Sequence, residues 1–256
     1  MQKIIISGCC GHMGRVVADI CANDPDAEAA AGIDLLAQPM EGFPVFSTPA
    51  ACNVEADAVI DFSHPAALGP LLEFCTARKL PAVLATTGYT QEQLIQIEAA
   101  ARSIPIFRSA NMSLGINVLM DLVRRAAALL GEDFDVEIEE RHHRRKLDTP
   151  SGTALMLADA AAGALPYEAQ LTYDRHSVRK PRDTREIGIA SLRGGTIVGD
   201  HTVVFAGRDE VIELTHRAAS REVFAVGAVK AAKFLAGVDA PGLYDMSHLI
   251  AGEGGR

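Results

Sequence analysis

The sequence predicts an α/β protein with a doubly wound parallel sheet and a second α+β domain built on a mixed, mostly antiparallel sheet. Strand-like runs alternate with helix-like segments up to about residue 112. Beyond that point, one long amphipathic segment is followed by a run of strands with few helices. The opening strand also ends in a glycine-rich turn that leads into a helix, as is usual at the start of a doubly wound sheet.

The predicted first domain covers residues 1–112. Its first strand is the β-branched run "KIIISG", and after it Val16, Val17 and Ile20 recur at helical spacing. Later strands read as "AEAAAGID", "ADAVIDFS", "PAVLATTG" and "IPIFRSAN". Helical stretches around "AALGPLLEFCTARK" and "QEQLIQIEAAARS" lie between them. Because strands that are joined through helices of this length run parallel, we expect a Rossmann-type domain.

The predicted second domain covers residues 113–220. It begins with one long amphipathic helix, "SLGINVLMDLVRRAAALLG". Its strands read as "FDVEIEER", "AQLTYDRH", "EIGIASLR", "HTVVFAG" and "EVIELTHR". The C-terminal segment, residues 221–256, supplies the helix "EVFAVGAVKAAKFLAG", which is predicted to complete the first domain, and a soft "GEGGR" tail.

Composition excludes several classes of function. The net charge of -9 argues against general nucleic-acid binding, which relies on many Lys and Arg contacts to phosphates. The start of the chain lacks the layout of a signal peptide, and charges interrupt the longest apolar stretch, so we expect neither export nor a membrane span. The five cysteines are odd in number and form no C-x-x-C pair, which favours a reducing cytoplasm.

The turn "SGCCGHMGR" places Gly8, Gly11 and Gly14 between the first strand and its helix. Glycines at such a turn let the backbone approach a pyrophosphate, which then lies on the N–H groups of the helix start. Asp34 ends the second strand, where an acid that bonds the ribose hydroxyls of a dinucleotide is expected. A purely structural turn is the alternative. The adjacent thiols of Cys9 and Cys10 are interpreted as small fillers.

The segment "EERHHRRKLDTPSGTA" concentrates positive charge in an acidic chain. It leads into a helix that is expected to open with Pro150 in or near its first turn, with Ser151, Gly152 and Thr153 presenting free backbone N–H groups. Cations beside a helix start suit a small anion with several carboxylates. A solvated basic loop and a nucleic-acid patch are the alternatives. A zinc site would need a third well-spaced ligand, so no metal is expected.

The same segment resembles the E-x-H-H-x-x-K-x-D-x-P-S-G-T-A signature of the dihydrodipicolinate reductase family. "GCCGHMGR", "VIDFSHP", "ATTGY", "SANMSLGINV", "GGTIVGDHTVVF" and "IELTHRAASREVFAVGAV" extend the resemblance over most of the chain. The resemblance implies reduction of a cyclic imine dicarboxylate by NADH or NADPH in lysine and diaminopimelate biosynthesis. It also implies a homotetramer that assembles through the sheet of the second domain.

The resemblance implies roles for individual residues. His142 would be a proton donor or acceptor and Lys146 a proton donor. Substrate contacts would come from His143, Ser151, Gly152 and Thr153. The implied cofactor contacts are Gly8, Cys9, Cys10, Gly11, His12, Met13, Asp34, Ala85, Thr86, Thr87, Ser109, Ala110, Asn111 and Met112. Ala85 and Met112 depart from the glycine and phenylalanine that are usual at these positions, and the fit of the nicotinamide could change as a result.

Two further questions concern cofactor and class. Leu35 and His12 stand where family members that use both cofactors often carry arginines, so NADH is predicted to be preferred over NADPH. Arg15 sits just inside the helix, where its side chain can point away from the ribose. The alternatives for function are another two-domain nicotinamide dehydrogenase, of the aspartate or homoserine type, and a dinucleotide sensor without turnover.

Overall fold

The chain forms two compact units in a computed structural model, which describes residues 1–253. The first unit comprises Met1–Leu114 with Glu222–Arg256, and the second comprises Gly115–Arg221. Part of the soft tail predicted at residues 252–256 lies outside the described residues. Within the part of the chain that is described, no helix is both long enough and apolar enough to cross a bilayer.

Strands and helices follow one another along the chain in the predicted order. The strands are β1 (Gln2–Ser7), β2 (Ala27–Ile33), β3 (Val45–Phe46), β4 (Ala58–Asp61), β5 (Ala82–Leu84), β6 (Pro105–Arg108), β7 (Asp135–His142), β8 (Gln170–Thr172), β9 (Glu186–Arg193), β10 (Gly199–Ala206), β11 (Val211–Ala218) and β12 (Gly242–Tyr244). The helices are α1 (His12–Ala22), α2 (Leu68–Arg78), α3 (Gln91–Ala100), α4 (Leu114–Leu130), α5 (Gly152–Ala162), α6 (Glu222–Leu235) and α7 (Met246–Glu253).

The first unit contains a parallel sheet of seven strands in the order β12-β6-β5-β4-β1-β2-β3. Strand β1 is apolar throughout its centre because both of its faces are covered. Ile4 and Ile6 belong to the core that includes α1 and α6, whereas Ile5 belongs to the core that includes α2 and α3. The predicted doubly wound parallel sheet is therefore confirmed.

Three elements of the first unit were not predicted: β3, β12 and α7. Each of the two strands is only two or three residues long, too short to show a periodicity of its own. Strand β3 pairs with β2 at one edge of the sheet, and β12 pairs with β6 at the other. These strands therefore depend on tertiary contacts that the local sequence does not show.

The second unit contains a mixed sheet of five strands in the order β11-β10-β7-β9-β8. The predicted mixed sheet is confirmed, with two antiparallel and two parallel pairs of strands. Strand β10 pairs antiparallel with β7 and β11, but β9 pairs parallel with β7 and β8. Helix α5 lies on the connection from β7 to β8, and residues 173–185 connect β8 to β9, so both connections are crossovers that return the chain in the same direction. Helices α4 and α5 share a core with this sheet that includes Val123, Leu157, Val136, Val203 and Phe205.

Candidate active site

The glycine turn lies at the carboxyl edge of the parallel sheet, between β1 and α1. Gly8 has a φ of 79°, which is strained for any residue with a side chain, and a Cβ there would lie 2.7 Å from the carbonyl oxygen of Phe62. Its N–H donates to the carbonyl of Ile33 at 2.8 Å. The turn is thus held against the ends of β2 and β4, and helix α1 starts directly after it with its N–H groups available to an anion.

Asp34 is tied to the same turn. Its Oδ2 accepts a hydrogen bond from the backbone N–H of Cys10 at 3.0 Å, and its Oδ1 accepts one from the N–H of Leu36 at 3.0 Å. Both carboxylate oxygens keep lone pairs for further donors. The carboxylate is therefore held in place beside the glycine turn, as a ligand for ribose hydroxyls requires.

A buried carboxylate that the sequence analysis did not assign organises the neighbouring strand ends. Asp61 at the end of β4 accepts hydrogen bonds from Thr86 Oγ1 at 2.7 Å and from Ser63 Oγ at 2.6 Å. The N–H of Ala85 donates to the backbone carbonyl of Asp61 at 3.0 Å. Asp61 thereby fixes the segment that follows β5, which the resemblance places against the cofactor.

All the predicted cofactor residues follow strands of this one sheet and lie at its carboxyl edge. The turn follows β1, Asp34 follows β2, the segment 85–87 follows β5, and the segment 109–112 follows β6. The side chains of Cys9 and Met112 are buried in the core of the unit, so each would meet a cofactor through its backbone. The side chain of Met112 packs into this core, and its bearing on the fit of the nicotinamide stays a prediction.

The second group of predicted residues begins on strand β7. The residues of this strand alternate between exposed and buried, and Val136, Ile138, Glu140 and His142 form its inward face. His142 is the last residue of the strand and is buried, whereas the sequence analysis placed it in a loop after the strand. Its backbone pairs with Arg193 on β9, and the residue before it, Arg141, pairs with Asp200 on β10.

Glu140 is the centre of a buried hydrogen-bond network. Arg193 on β9 donates to both of its carboxylate oxygens, at 2.7 and 2.8 Å, and His142 Nδ1 lies 2.5 Å from Oε2. The backbone N–H of Ser151 donates to Oε1 at 3.1 Å. Burial acts to raise the pKa of Glu140, but hydrogen bonds from Arg193, Ser191 and His142 outweigh it and hold the pKa at about 2. Glu140 is therefore ionised at neutral pH.

An ionised carboxylate can only accept, so His142 donates its Nδ1–H to Glu140. Its Nε2 is then the ring atom that exchanges a proton. Gly199 leaves room on that side, because a Cβ at this position would lie 3.0 Å from Nε2. The arrangement orients His142 as an acid or base with one defined reacting atom.

Helix α5 begins at Gly152, and Ser151 is its N-cap. The expectation of a free N–H at Ser151 was wrong, because that N–H is bound to Glu140 and the hydroxyl accepts from the N–H of Ala154 at 3.1 Å. Pro150 precedes the cap and so lies outside the first turn. Gly152 is exposed at the helix start and Thr153 is half-buried next to it, so these two remain the candidates for binding a carboxylate.

A second histidine supports this helix start from β10. His201 Nε2 and Ser151 Oγ share a hydrogen bond of 3.0 Å, and the ring of His201 packs edge-on against His142 with centroids 5.1 Å apart. Burial, with the nearby charge of His142, lowers the pKa of His201 to about 4. His201 is consequently neutral at physiological pH and adds no charge beside His142.

The basic loop itself carries His143 and Lys146. Burial and the cations Arg221 and Arg145 lower the pKa of His143, and Arg221 Nη2 donates to its Nε2 at 3.3 Å. His143 is then a neutral ring with its proton on Nδ1. Lys146 Nζ lies 2.8 Å from Asp148 Oδ2, which holds the ammonium near the loop surface. The neutral ring of His143 thus lies beside Arg221 and the loop cations Arg145 and Lys146.

Four residues of this arrangement were missed from the sequence: Glu140, Arg193, His201 and Arg221. The burial of Glu140 could have been predicted, because alternate residues of a strand point to the same face and Glu140 follows Val136 and Ile138 at a spacing of two. The other three lie between 50 and 78 residues from their partners, and no local pattern links them.

Comparison with known proteins decides the family. Residues 2–112 match the model described as dihydrodipicolinate reductase, N-terminus, and residues 115–250 match the model described as dihydrodipicolinate reductase, C-terminus. The chain belongs to the dihydrodipicolinate reductase family. It is 52% identical over 250 residues to the 4-hydroxy-tetrahydrodipicolinate reductase of Caldanaerobacter subterraneus subsp. tengcongensis, with 98% of each chain covered. It is 46% identical to that of Clostridium botulinum (strain Eklund 17B / Type B), again with 98% of each covered.

Solved structures agree with this family. A dipicolinate-bound dihydrodipicolinate reductase from Paenisporosarcina sp. TG-14 superposes with a TM-score of 0.80 at 25% identity, covering 96% of this chain and 97% of that one. A probable dehydrogenase from Thermotoga maritima, at 11% identity and a TM-score of 0.59 over 96% of this chain and 92% of that one, shares the fold alone. These relationships support the reductase family and give no support to the aspartate or homoserine dehydrogenase alternative, or to a sensor.

Proposed function

We propose that this chain is a 4-hydroxy-tetrahydrodipicolinate reductase of lysine and diaminopimelate biosynthesis that uses His142 and Lys146 for proton transfer. The observation that carries the proposal is the buried carboxylate of Glu140. It binds both His142 and the N-cap of the helix whose start is assigned to the substrate. A proton-transfer group and an anion-binding helix start are therefore held by one carboxylate.

The cofactor would lie on the glycine turn, with Asp34 on its adenosine ribose. When bound, the nicotinamide supplies the hydride. The residues of the turn fit this group, because Gly8 permits the close backbone approach and Asp34 keeps acceptor capacity beside it. Asp61 holds Thr86 in place by accepting a hydrogen bond from its hydroxyl.

The species that is reduced is a cyclic, unsaturated imine with two carboxylates, formed from the 4-hydroxy compound by loss of water. The backbone N–H groups at Gly152 and Thr153 bind one carboxylate, and the cations of the loop that carries Lys146 neutralise the other. Reduction at a ring carbon leaves an electron-rich enamine, and the adjacent carbon must take up a proton for the product to form. Lys146 and His142 Nε2 are the groups assigned to stabilise the developing negative charge and to supply that proton.

The function is tested by following NADH oxidation optically with freshly generated 4-hydroxy-tetrahydrodipicolinate. Absorbance should fall only when protein, cofactor and substrate are all present. A protein that bound NADH but gave no substrate-dependent oxidation would refute the reductase and favour a sensor. Aspartate and homoserine, each supplied with NAD⁺, serve as controls for the dehydrogenase alternative and should give no NADH.

Thr153→Val should mainly raise KM for the substrate and change kcat little. The substitution removes a hydroxyl at the helix start but keeps the shape of the side chain, and a hydrogen bond to a carboxylate is made in the ground state and the transition state alike. Such a bond to a charged group contributes about 1.5 to 3 kcal/mol, so KM should rise by about tenfold or more. Initial rates over a range of substrate concentrations measure this, and an unchanged KM would contradict the role of Thr153.

NADH should be preferred over NADPH in kcat/KM by about fivefold to thirtyfold, which corresponds to about 1 to 2 kcal/mol. The reason is that Asp34 repels a 2′-phosphate while Leu35 offers no compensating charge. Arg15 lies beside the glycine turn and is the base that would offset the charge of a 2′-phosphate. Its Nε donates to the carbonyl of Cys10 at 3.0 Å, and its Nη2 lies 3.4 Å from Gln38 Oε1.

Kinetics with both cofactors at one ionic strength measure this preference. Leu35→Arg should reduce the preference for NADH, because the new guanidinium would lie beside Asp34 and offset its repulsion of the 2′-phosphate. Arg15→Ala is the informative second variant. If the unmodified protein preferred NADPH and Arg15→Ala abolished that preference, the phosphate would be bound by Arg15 and our assignment would fail.

A homotetramer is the expected assembly. Strand β11 ends the second sheet, and Val211 on β11 and Leu192 on β9 are exposed, 59% and 51% respectively. The face that bears these two residues also carries charged side chains such as Glu139, Arg141 and Glu213, and further copies of the chain would cover both this face and the open edge of β11. Light scattering at micromolar concentration should give about four times the 27.2 kDa of one chain, and the mass of a monomer would contradict the expectation.

A cytoplasmic location likewise stays a prediction, based on the cysteine pattern.

A further inference from the structure

The cofactor turn carries two thiols for which hydride transfer has no use. Cys9 Sγ and Cys10 Sγ are 3.9 Å apart, and a carboxylate oxygen of Asp34 completes a set of three ligand atoms that lie within 4.8 Å of one another. Across residues 1–253, this is the one group of three His, Cys, Asp or Glu side chains that meets that distance. Two sulfurs and one oxygen therefore converge on a single point of the turn.

The spacing of the two sulfurs matches a tetrahedral metal site. Zinc binds thiolates at about 2.3 Å, so two sulfurs on one tetrahedral ion lie about 3.8 Å apart. The observed distance of 3.9 Å needs almost no adjustment to meet this. The oxygen of Asp34 is a suitable third ligand, and water would fill the fourth position, as in zinc sites with three protein ligands.

The electrostatics of the turn also favour a cation. Asp34 lies beside both sulfurs, and its negative charge attracts a cation to this position. The start of α1 and the guanidinium of Arg15, which is bonded to the Cys10 carbonyl, offset the negative charge of two thiolates once they form. A soft divalent ion gains most from this set, since thiolate ligands select for it.

We propose that Cys9, Cys10 and Asp34 bind one thiophilic divalent cation, such as Zn²⁺, and that this ion and NAD(P)H exclude each other. Binding converts two thiols to thiolates and releases their two protons to solvent. The exclusion rests on the proposed function, because Asp34 is the acid assigned there to the adenosine ribose. An ion on this carboxylate removes the acceptor that the ribose needs, so the reductase is competitively inhibited by the metal.

The test is a titration of metal-free protein with Co²⁺, which takes the place of zinc and absorbs in the near ultraviolet when thiolates bind it. We expect the charge-transfer band to saturate at one equivalent and to be lost in Cys10→Ser. In Asp34→Asn, affinity should fall by more than about tenfold, a loss that even outer-shell substitutions can reach. Cys52→Ser is the matched control, because Cys52 is a buried free thiol outside the cluster and its removal should leave the band unchanged. Absence of a band, or a band that persists in Cys10→Ser, would overturn the site.

Addition of NADH to the cobalt-loaded protein tests the exclusion, with NADH binding followed separately by its fluorescence. Excess NADH should abolish the band and release the ion. A band that persisted while NADH bound would overturn the exclusion. A protein that bound Co²⁺ through Cys10 but bound no NADH would refute the proposed cofactor site and still support the metal site, so the two failures are distinguishable.

Discussion

Lys146→Ala and His142→Ala should each lower kcat by about a hundredfold or more, the usual contribution of a positioned acid or base. In our mechanism both side chains act on the proton that follows hydride transfer. Each is held in place: Lys146 Nζ lies 2.8 Å from Asp148 Oδ2, and His142 Nδ1 lies 2.5 Å from Glu140 Oε2. Rapid-mixing or steady-state rates at saturating substrate measure the loss.

NADH affinity should be nearly unchanged in both variants. The glycine turn and Asp34 belong to the first compact unit, whereas Lys146 and His142 belong to the second. Leu147→Ala is the matched control, because Leu147 is in the same loop and 96% exposed, and its kcat should stay within about twofold of the unmodified protein. Near-normal kcat in Lys146→Ala or His142→Ala would refute the role given to that residue.

Glu140→Gln should have the second large effect, on both stability and rate. The substitution leaves the half-buried Arg193 guanidinium without the buried carboxylate, and breaking such an ion pair lowers the free energy of unfolding by about 3 kcal/mol. It also removes the charged acceptor for His142 Nδ1. Loss of a partner that orients another side chain lowers activity by about tenfold to a hundredfold. We therefore expect kcat to fall by this factor while KM for NADH stays constant.

The pH dependence of stability separates this role from a general loss of packing. The pKa of Glu140 is depressed from 4.5 to about 2 in the folded protein. The ionised form therefore contributes stability that is fully present above pH 4.5 and is lost as the pH falls towards 2. Unfolding curves of the unmodified protein should show this loss, and those of Glu140→Gln should lack it.

Glu139→Gln is the matched control on the same strand. Glu139 points to the exposed side of β7, where it contacts Arg141 at 3.1 Å, and surface pairs of this kind contribute less than about 1 kcal/mol. Equal effects of the two substitutions on kcat would contradict the positioning role of Glu140.

The cofactor edge of the first unit was predictable because its determinants are local. Glycines that permit a tight turn, an acid that ends the second strand, and helices between short strands all follow from spacing within about 35 residues. The helix start at Gly152 could be predicted for the same reason, since a Pro-Ser-Gly-Thr run is a local signal. In a parallel sheet, all strands place their carboxyl ends at the same edge, so the turns predicted one by one from the sequence lie side by side there.

The network behind His142 was decided by tertiary structure. The alternation along β7 points Glu140 inward, yet a carboxylate in a buried position is stable only with a partner, and Arg193 stands 53 residues away. Pairing of β7 with β9 and β10 brings Arg193 and His201 to it. The sequence by itself determined the turn, the basic loop and the helix start. The hydrogen bonds that orient His142, and the use of the Ser151 N–H by Glu140, depend on strand register, which no local spacing encodes.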